Sequence, residues 1–127
     1  MKLGHRTRGE TRSFYDEWRG SFDGRPALWI KKLIRAFGCV VQLHKFVRAD
    51  DPGCFHTHPA YAVRVILRGG YIEELGDGRM RTWRPGMIGL VRPELEHRID
   101  RLLNGEVSFS LWLRGPKVRK INVRGCS

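Results

Sequence analysis

The sequence predicts an all-β domain with one helix near its N-terminus, folded as a sandwich or a small barrel. From residue 39 onward, apolar and polar residues alternate with a period of two, as in strands that bury one face. Clusters of Gly, Pro, Asn and Asp separate these runs at short intervals, as antiparallel turns require. The chain has 127 residues, of which 41% are hydrophobic, enough for the core of one domain.

The N-terminal quarter of the chain divides into two predicted parts. Residues 1–24 are polar and basic, and we interpret them as a loosely packed arm with a helical turn or two. Residues 25–127 form the predicted barrel domain, which begins with a helix that Pro26 opens and Gly38 ends. The apolar residues between them recur at helical spacing: Ile30, Leu33, Ile34 and Phe37. A helix that packs across a sheet is the expected result.

Short strands fill the rest of the predicted barrel domain. They are predicted at 39–48, 54–58, 61–68, 71–75, 79–84, 87–92, 95–100, 106–114 and 117–124. The turns between them include Gly69-Gly70, Pro85-Gly86 and Asn104-Gly105. No helical pattern interrupts these strands, which favours antiparallel pairing.

Charge and cysteine content limit the function classes. The formal net charge is +11, but the 24 Lys and Arg residues are spread along the chain and accompany no helix-turn-helix or zinc-finger pattern. A nucleic-acid partner is therefore disfavoured, although charge alone does not exclude it. The three cysteines have unrelated spacings, and no secretion signal or membrane span is evident. We expect a reduced, cytoplasmic protein.

Three histidines form a candidate metal site. His56 and His58 lie two residues apart on a predicted strand, so they share one face of it. His97 follows about forty residues later, the length that two or three hairpins take before a barrel strand returns alongside. Three neutral imidazoles bind a divalent first-row metal and leave positions open for water or substrate. The alternative is three unrelated surface and core histidines.

These histidines lie within two motifs that resemble those of the cupin superfamily. The matching segments are Gly53, His56-Thr57-His58-Pro59, Ile66-Leu67-Arg68-Gly69-Gly70-Tyr71, Pro85-Gly86 and Pro93-Glu94-Leu95-Glu96-His97. The resemblance covers roughly residues 39–114 and is greatest for small single-domain cupins with a His-x-His-Pro segment and a Gly-Gly-Tyr hairpin. It implies a double-stranded β-helix, or jelly-roll barrel, and a bound metal.

The chain departs from the cupin pattern where the superfamily has a glutamate ligand. Ala62 and Val63 stand there, and neither can bind a metal. The site therefore resembles the three-histidine centre of thiol dioxygenases, which implies Fe(II) first, with Zn(II), Ni(II) or Mn(II) as alternatives. Without a carboxylate ligand, the charge of the ion favours a small anionic substrate.

Two further residues are candidates for catalysis. Cys54 has the parity of the two strand histidines, so its thiol would ligate the metal or undergo oxidation if the strand is regular. A small buried apolar residue, or one turned aside by the bend after Gly53, is the plainer expectation. Glu73 is the best remaining carboxylate for a general base or a replacement ligand. The alternative is that it belongs to an exposed Glu pair with Glu74.

Three residues are candidates for substrate binding. Arg64 interrupts an apolar strand and would clamp a carboxylate or phosphate if its face lined the barrel mouth, whereas a solvated outer face is the plainer expectation. His44 would line the pocket or orient a ligand, or serve as a hydrogen-bonded structural residue. Tyr61 would supply a pocket wall, or simply pack in the core.

The function that these features predict is that of a metal-binding small cupin, with dioxygenase-like oxidation of a small anion as the leading chemistry. Metal-assisted isomerisation or hydrolysis comes next. A non-catalytic module that binds a small anion or nucleic acid is the alternative from another class. We also expect a homodimer, formed through a sheet edge or a swapped strand.

Overall fold

The computed structural model describes residues 14–20, 24–50, 55–58, 60–118 and 123–124, with the backbone alone at residues 56, 123 and 124. The strands of this part are β1 Glu17–Gly20, β2 Pro26–Ala36, β3 Cys39–Phe46, β4 Phe55–His56, β5 Ala62–Arg68, β6 Tyr71–Leu75, β7 Met80–Trp83, β8 Ile88–Val91, β9 His97–Leu102, β10 Ser108–Arg114 and β11 Val123–Arg124. Every predicted strand overlaps one of them, which confirms the all-β expectation.

The strands form two antiparallel sheets. The six-stranded sheet has the order β1-β2-β3-β10-β5-β8, and the five-stranded sheet has the order β11-β4-β9-β6-β7. Neighbours such as β10 and β5 are distant in sequence, so most pairing joins remote parts of the chain. This is the architecture of a jelly-roll barrel, in which the inner faces of two sheets enclose one core. A short 3-10 helix, Leu103–Gly105, joins β9 to β10.

The predicted helix over 25–38 is wrong, because Pro26–Ala36 is strand β2. It pairs with β1 on one side and β3 on the other, and the pairing with β3 shifts register between Lys32 and Ile34. This bulge changes the alternation of faces and leaves apolar residues at a helix-like spacing. Phe37 and Gly38, with φ of 53° and 77°, make the tight turn into β3. A positive-φ glycine suits a hairpin as well as a helix end, and strand pairing decides between them.

The expected helical turn in the N-terminal arm is also wrong for residues 14–20. Glu17–Gly20 is strand β1, which pairs with β2 at the edge of the six-stranded sheet. The Trp18 side chain is buried, and its ring centroid lies 6.3 Å from that of Trp29. This part of the arm therefore packs as an element of the sheet.

Two apolar clusters make up the core between the sheets. One contains Phe46, Ile66, Tyr71, Trp83 and Ile99, and the other contains Ala62, Val91 and Trp112. Arg64 lies on β5 between Ala62 and Ile66 and is fully buried, as is Glu73 on β6. A layer of charged and polar side chains thus separates the two clusters. No helix in the described part of the chain is long and apolar enough to cross a bilayer.

Candidate metal centre

Two of the three predicted metal ligands meet in the structure. The Nε2 atoms of His58 and His97 lie 2.7 Å apart, and the ring centroids lie 4.8 Å apart. Two nitrogens that bind one ion at right angles, with bonds of about 2.1 Å, would lie about 3 Å apart. The two imidazoles therefore already have nearly the spacing that a shared ion requires.

The third predicted ligand, His56, is brought alongside by the backbone. It is the Cα partner of His97 where β4 pairs with β9. On the other side of β9, His97 is the partner of Leu75. The side chain of His56 lies outside the described part, and so does Cys54 with all its atoms. Among the side chains that are described, no group of three His, Cys, Asp or Glu residues is placed to hold an ion.

Glu73 holds the far side of the His97 ring. Its Oε2 lies 2.5 Å from Nδ1 of His97, and both side chains are buried. An ionised carboxylate only accepts hydrogen bonds, so Nδ1 of His97 carries the proton of this bond, and the Nε2 atom is the one that lies toward His58. Carboxylate–histidine pairs of this kind orient metal ligands in many proteins. The structure thus places Glu73 behind a predicted ligand and buries it, in contrast to the exposed pair considered from the sequence.

Arg64 and Trp83 fix the Glu73 carboxylate. Nη1 and Nη2 of Arg64 donate to Oε2 and Oε1 at 2.8 and 2.9 Å, and Nε1 of Trp83 donates to Oε1 at 3.0 Å. Burial alone would raise the pKa of Glu73, but the hydrogen bond with His97 and the charge of Arg64 together hold that pKa well below its usual range. The carboxylate is therefore ionised.

The solvated outer face that we expected for Arg64 is wrong. Its side chain is 0% exposed, and its guanidinium carbon lies 4.0 Å from the centroid of the Trp83 ring. Nη1 also donates to the Tyr71 hydroxyl at 3.1 Å, so Arg64 has partners inside the protein. Its use as a clamp for substrate remains a prediction.

The Trp83 ring fits against Arg64 only because residue 89 is a glycine. Gly89 is the Cα partner of Arg64 on the neighbouring strand β8. A Cβ atom at this position would lie 2.2 Å from Cη2 of Trp83, closer than any real contact. The missing side chain of Gly89 therefore makes room for the indole that bonds to Glu73.

A row of rings continues from His58 into the six-stranded sheet. The Trp112 ring lies 5.1 Å from that of His58, and His44 stacks on its indole at 4.9 Å with an interplanar angle of 18°. His44 lies 2.8 Å from Oε1 of Gln42 through Nε2, while its Nδ1 has no partner among the described residues. Burial and then the charge of Arg19 lower the pKa of His44 to about 3. His44 is therefore a neutral ring one layer away from the histidine pair.

The structure places Tyr61 apart from this cluster. Its side chain is 52% exposed, just before β5 begins, and its role as a pocket wall remains a prediction. From the sequence alone, Trp83 and Trp112 are candidates for pocket walls, as Tyr61 is, or simply core packing residues. The pairing of Tyr71 with Trp83 puts the indole on the face of Glu73, a relation that alternation along β6 and β7 would have suggested once the hairpin was known.

Comparison with known proteins supports the fold. No family model matches the chain, and no curated protein matches it either. A Ralstonia eutropha protein provisionally assigned as a mannose-6-phosphate isomerase has a similar structure, with a TM-score of 0.64 and 23% identity over 73% of this chain and 88% of its own.

Two other similar structures belong to longer chains. Fe(II)-HppE with the alternative substrate (S)-1-HPP has a TM-score of 0.63 and 14% identity, over 75% of this chain and 53% of its own. A structure from a pair of DMSP lyases has a TM-score of 0.60 and 16% identity, over 75% of this chain and 51% of its own. The chain thus spans about half the length of these two proteins. At these identities the likeness is one of fold, and the fold is of the cupin type.

Proposed function

We propose that this chain is a metal-dependent oxidoreductase in which His56, His58 and His97 hold one divalent ion, Fe(II) before Zn(II), Ni(II) or Mn(II). The observation that carries the proposal is the pair of Nε2 atoms 2.7 Å apart, one of them on a ring anchored by a buried glutamate. Core histidines with only a structural role have no need of facing nitrogens, since each could bond to backbone instead. The similar fold of Fe(II)-HppE supports iron as the first choice.

Several of the described residues position the histidines that would hold such an ion. Bound iron would supply the redox chemistry by which dioxygen oxidises a substrate. Glu73 keeps the His97 ring in one orientation and one tautomer, and Arg64 keeps Glu73 in place. The Trp112 indole packs against His58 on the side of the six-stranded sheet. Each of these roles depends on rigid, buried side chains.

The charge balance of the site favours an anionic substrate. The negative charge of Glu73 is matched by Arg64 through two hydrogen bonds. The pair is neutral as a whole, so it does not offset the two positive charges of an added ion. A small carboxylate or thiolate substrate would offset them. We therefore include a small anion in the proposal.

Element-resolved metal analysis tests the proposal directly. The wild-type chain, purified without oxygen and supplied with Fe(II), Zn(II), Ni(II) or Mn(II) in turn, should retain about one ion per chain. His97→Ala should retain less than about a tenth of that amount, because it removes the anchored ligand. Oxygen uptake with a panel of small thiols and carboxylates should then appear only with the iron-loaded wild type.

His44→Phe is the matched control for the loss of a buried histidine. It removes an imidazole that stacks on the same tryptophan against which His58 packs, and that was not predicted as a ligand. This variant should keep the metal content of the wild type. Equal metal content in His97→Ala and the wild type would overturn the metal site. Full metal content without oxygen uptake on any substrate would leave a binding module or a non-oxidative enzyme instead.

A further inference from the structure

Arg114, the last residue of β10, lies on the inner face of the six-stranded sheet. Its Cα partners on the neighbouring strands are Val40 and Ala62, which are 2% and 3% exposed. Residues directly opposite each other in an antiparallel pair point to the same face, and Arg114 also has the parity of the buried Trp112. The row continues on β2 to Arg35, the partner of Val40. Two arginines thus share one inner row at this end of the sheet.

Two nitrogen atoms of Arg114 are shielded from solvent and have no hydrogen-bond partner among the described residues. They are Nε and Nη1. Folded proteins satisfy nearly all such buried donors with protein groups, water or a bound ion, because an unpaired donor has lost its hydration without compensation. Arg64 on the same face differs, since both of its terminal nitrogens donate to Glu73. Arg114 as a whole is half-buried, so solvent reaches part of its side chain.

The charges near Arg114 are mainly positive. Burial and then the charge of Arg35 lower the pKa of Arg114, whereas Cys39 and Glu17 oppose this shift more weakly. The Glu17 carboxylate lies 3.5 Å from Arg19, which offsets its charge. An anion held between Arg114 and Arg35 would therefore replace a repulsion with two attractions.

We propose that Arg114 and Arg35 bind one oxyanion, a carboxylate or a phosphate group, at the inner face of the six-stranded sheet. Their Cα atoms lie two strand spacings apart, about 10 Å, a distance that two long arginine side chains span around one anion. The oxygens of an anion accept the hydrogen bonds that Nε and Nη1 of Arg114 leave unused. A water molecule could accept them too, but it would leave the two positive charges uncompensated. This inference does not depend on the metal site.

The proposed oxyanion site lies beside the candidate metal centre. The Trp112 ring lies 5.1 Å from that of His58, and Arg114 is the next inner residue, about 7 Å further along β10. Its two arginines come from the six-stranded sheet, whereas His97 begins β9 of the other sheet. Replacing His97 should therefore leave the arginines in place, so the two sites can be tested separately.

Isothermal titration calorimetry of the metal-free full chain with inorganic phosphate and with acetate tests the proposal, at constant ionic strength. At least one of the two anions should bind once per chain, with a dissociation constant below about 10 mM, and the preferred anion identifies the group. Arg114→Met should raise that constant at least about tenfold, because it removes the unpaired donors. Arg35 is exposed, so Arg35→Met leaves the fold intact and should raise the constant about threefold or more.

Arg101→Met is the matched control, since it removes the same charge from an exposed residue of β9 in the other sheet. It should bind the anion within about twofold of the wild type. His97→Ala should also bind as the wild type does, and a loss of anion binding in that variant would assign the anion to the metal centre and overturn a separate site.

Urea unfolding adds a measurement that separates binding from a purely structural role. The preferred anion should stabilise the wild type in proportion to the logarithm of its concentration, but not Arg114→Met, with sodium chloride of equal ionic strength as the reference. In chloride alone, Arg114→Met should be at least as stable as the wild type, because it removes buried unpaired donors and the repulsion from Arg35. A variant destabilised equally in both buffers would overturn the proposal. So would a wild type that binds neither anion at about 50 mM, with water as the only partner of Arg114.

Discussion

The two faces of strand β5 reverse the usual distribution of charge. Its inner face presents Arg64, which is fully buried beside Glu73, whereas its outer face presents the aliphatic residues Val63, Val65 and Leu67. The charged side chain is inside because Glu73 accepts two hydrogen bonds from it there and the Tyr71 hydroxyl accepts a third. The apolar side chains are outside because alternation leaves them no other place.

The comparison teaches that the two faces are shaped by different requirements. A buried ion pair adds little stability compared with well-packed apolar residues, so we interpret this pair as one that orients another side chain. That side chain is His97, which is hydrogen-bonded to Glu73. The aliphatic side chains of the outer face remain partly in water, so they add less to the stability of the chain than buried ones would. The inner face thus orients His97, whereas the outer face is a partly exposed apolar surface.

Breaking the inner pair should have the largest effect. Arg64→Met leaves the Glu73 carboxylate buried without the guanidinium that donates two hydrogen bonds to it, and we expect a loss of about 3 to 5 kcal/mol in the free energy of unfolding. Adding Glu73→Gln should restore part of this loss, because no uncompensated charge then remains inside. Urea unfolding of the two single variants and the double variant measures both effects.

Arg68→Met is the control, since Arg68 lies on the same strand with the same parity but is exposed. It should change the free energy of unfolding by less than about 0.5 kcal/mol. A similar loss in the free energy of unfolding for Arg64→Met and Arg68→Met would mean that the buried ion pair contributes no more to stability than an exposed arginine does.

Much of this fold could be predicted because alternation and turn residues are local signals. Strands β5 to β8 follow the predicted ranges within two residues, with Gly69-Gly70 and Pro85-Gly86 at the turns between them. Alternation along the strand also predicted that Ala62, Arg64 and Ile66 lie on one face of β5. The length of chain between His56 and His97 predicted that several hairpins separate them.

Other features depend on long-range pairing, which no local pattern reveals. Residues 26–36 become a strand because β1 and β3 lie on either side, and the bulge after Lys32 imitates helical spacing. Alternation shows which residues share a face of a strand, but it does not show which face is buried. On β5 the aliphatic residues favoured the prediction that Arg64 faces solvent. That prediction is wrong because Glu73, the partner of Arg64, lies on β6 in the opposite sheet.

Acid should lower the free energy of unfolding through the buried imidazole of His44. Its pKa falls from 6.5 to about 3 in the folded chain, so between these values the unfolded chain binds a proton that the folded chain does not. The contribution of neutral His44 is therefore complete above pH 6.5 and is lost as the pH falls toward 3. At pH 4.5 we expect a loss of about 2 to 3 kcal/mol relative to pH 7 from this residue.

Thermal unfolding of the wild type and His44→Phe at pH 7 and pH 4.5 isolates this contribution. The phenyl ring can keep the stacking on Trp112 but does not titrate. Every carboxylate is common to the two proteins, so the difference between their pH profiles belongs to residue 44. Stability should fall less steeply with acid in the variant, and parallel profiles would contradict the burial of a neutral imidazole.

The sharpest comparison of the two faces uses adjacent residues on β8. Gly89→Ala adds one methyl group inside, where it meets the Trp83 ring, and we expect it to cost about 2 kcal/mol. Ile88→Ala removes three carbons outside, from a side chain that is 67% exposed, and should cost less than about 1 kcal/mol. Urea unfolding at concentrations that keep the chain monomeric measures both. If Ile88→Ala lowered the free energy of unfolding more than Gly89→Ala, the Ile88 side chain would be packed in a core. The outer face of β8 would then not be an exposed apolar surface.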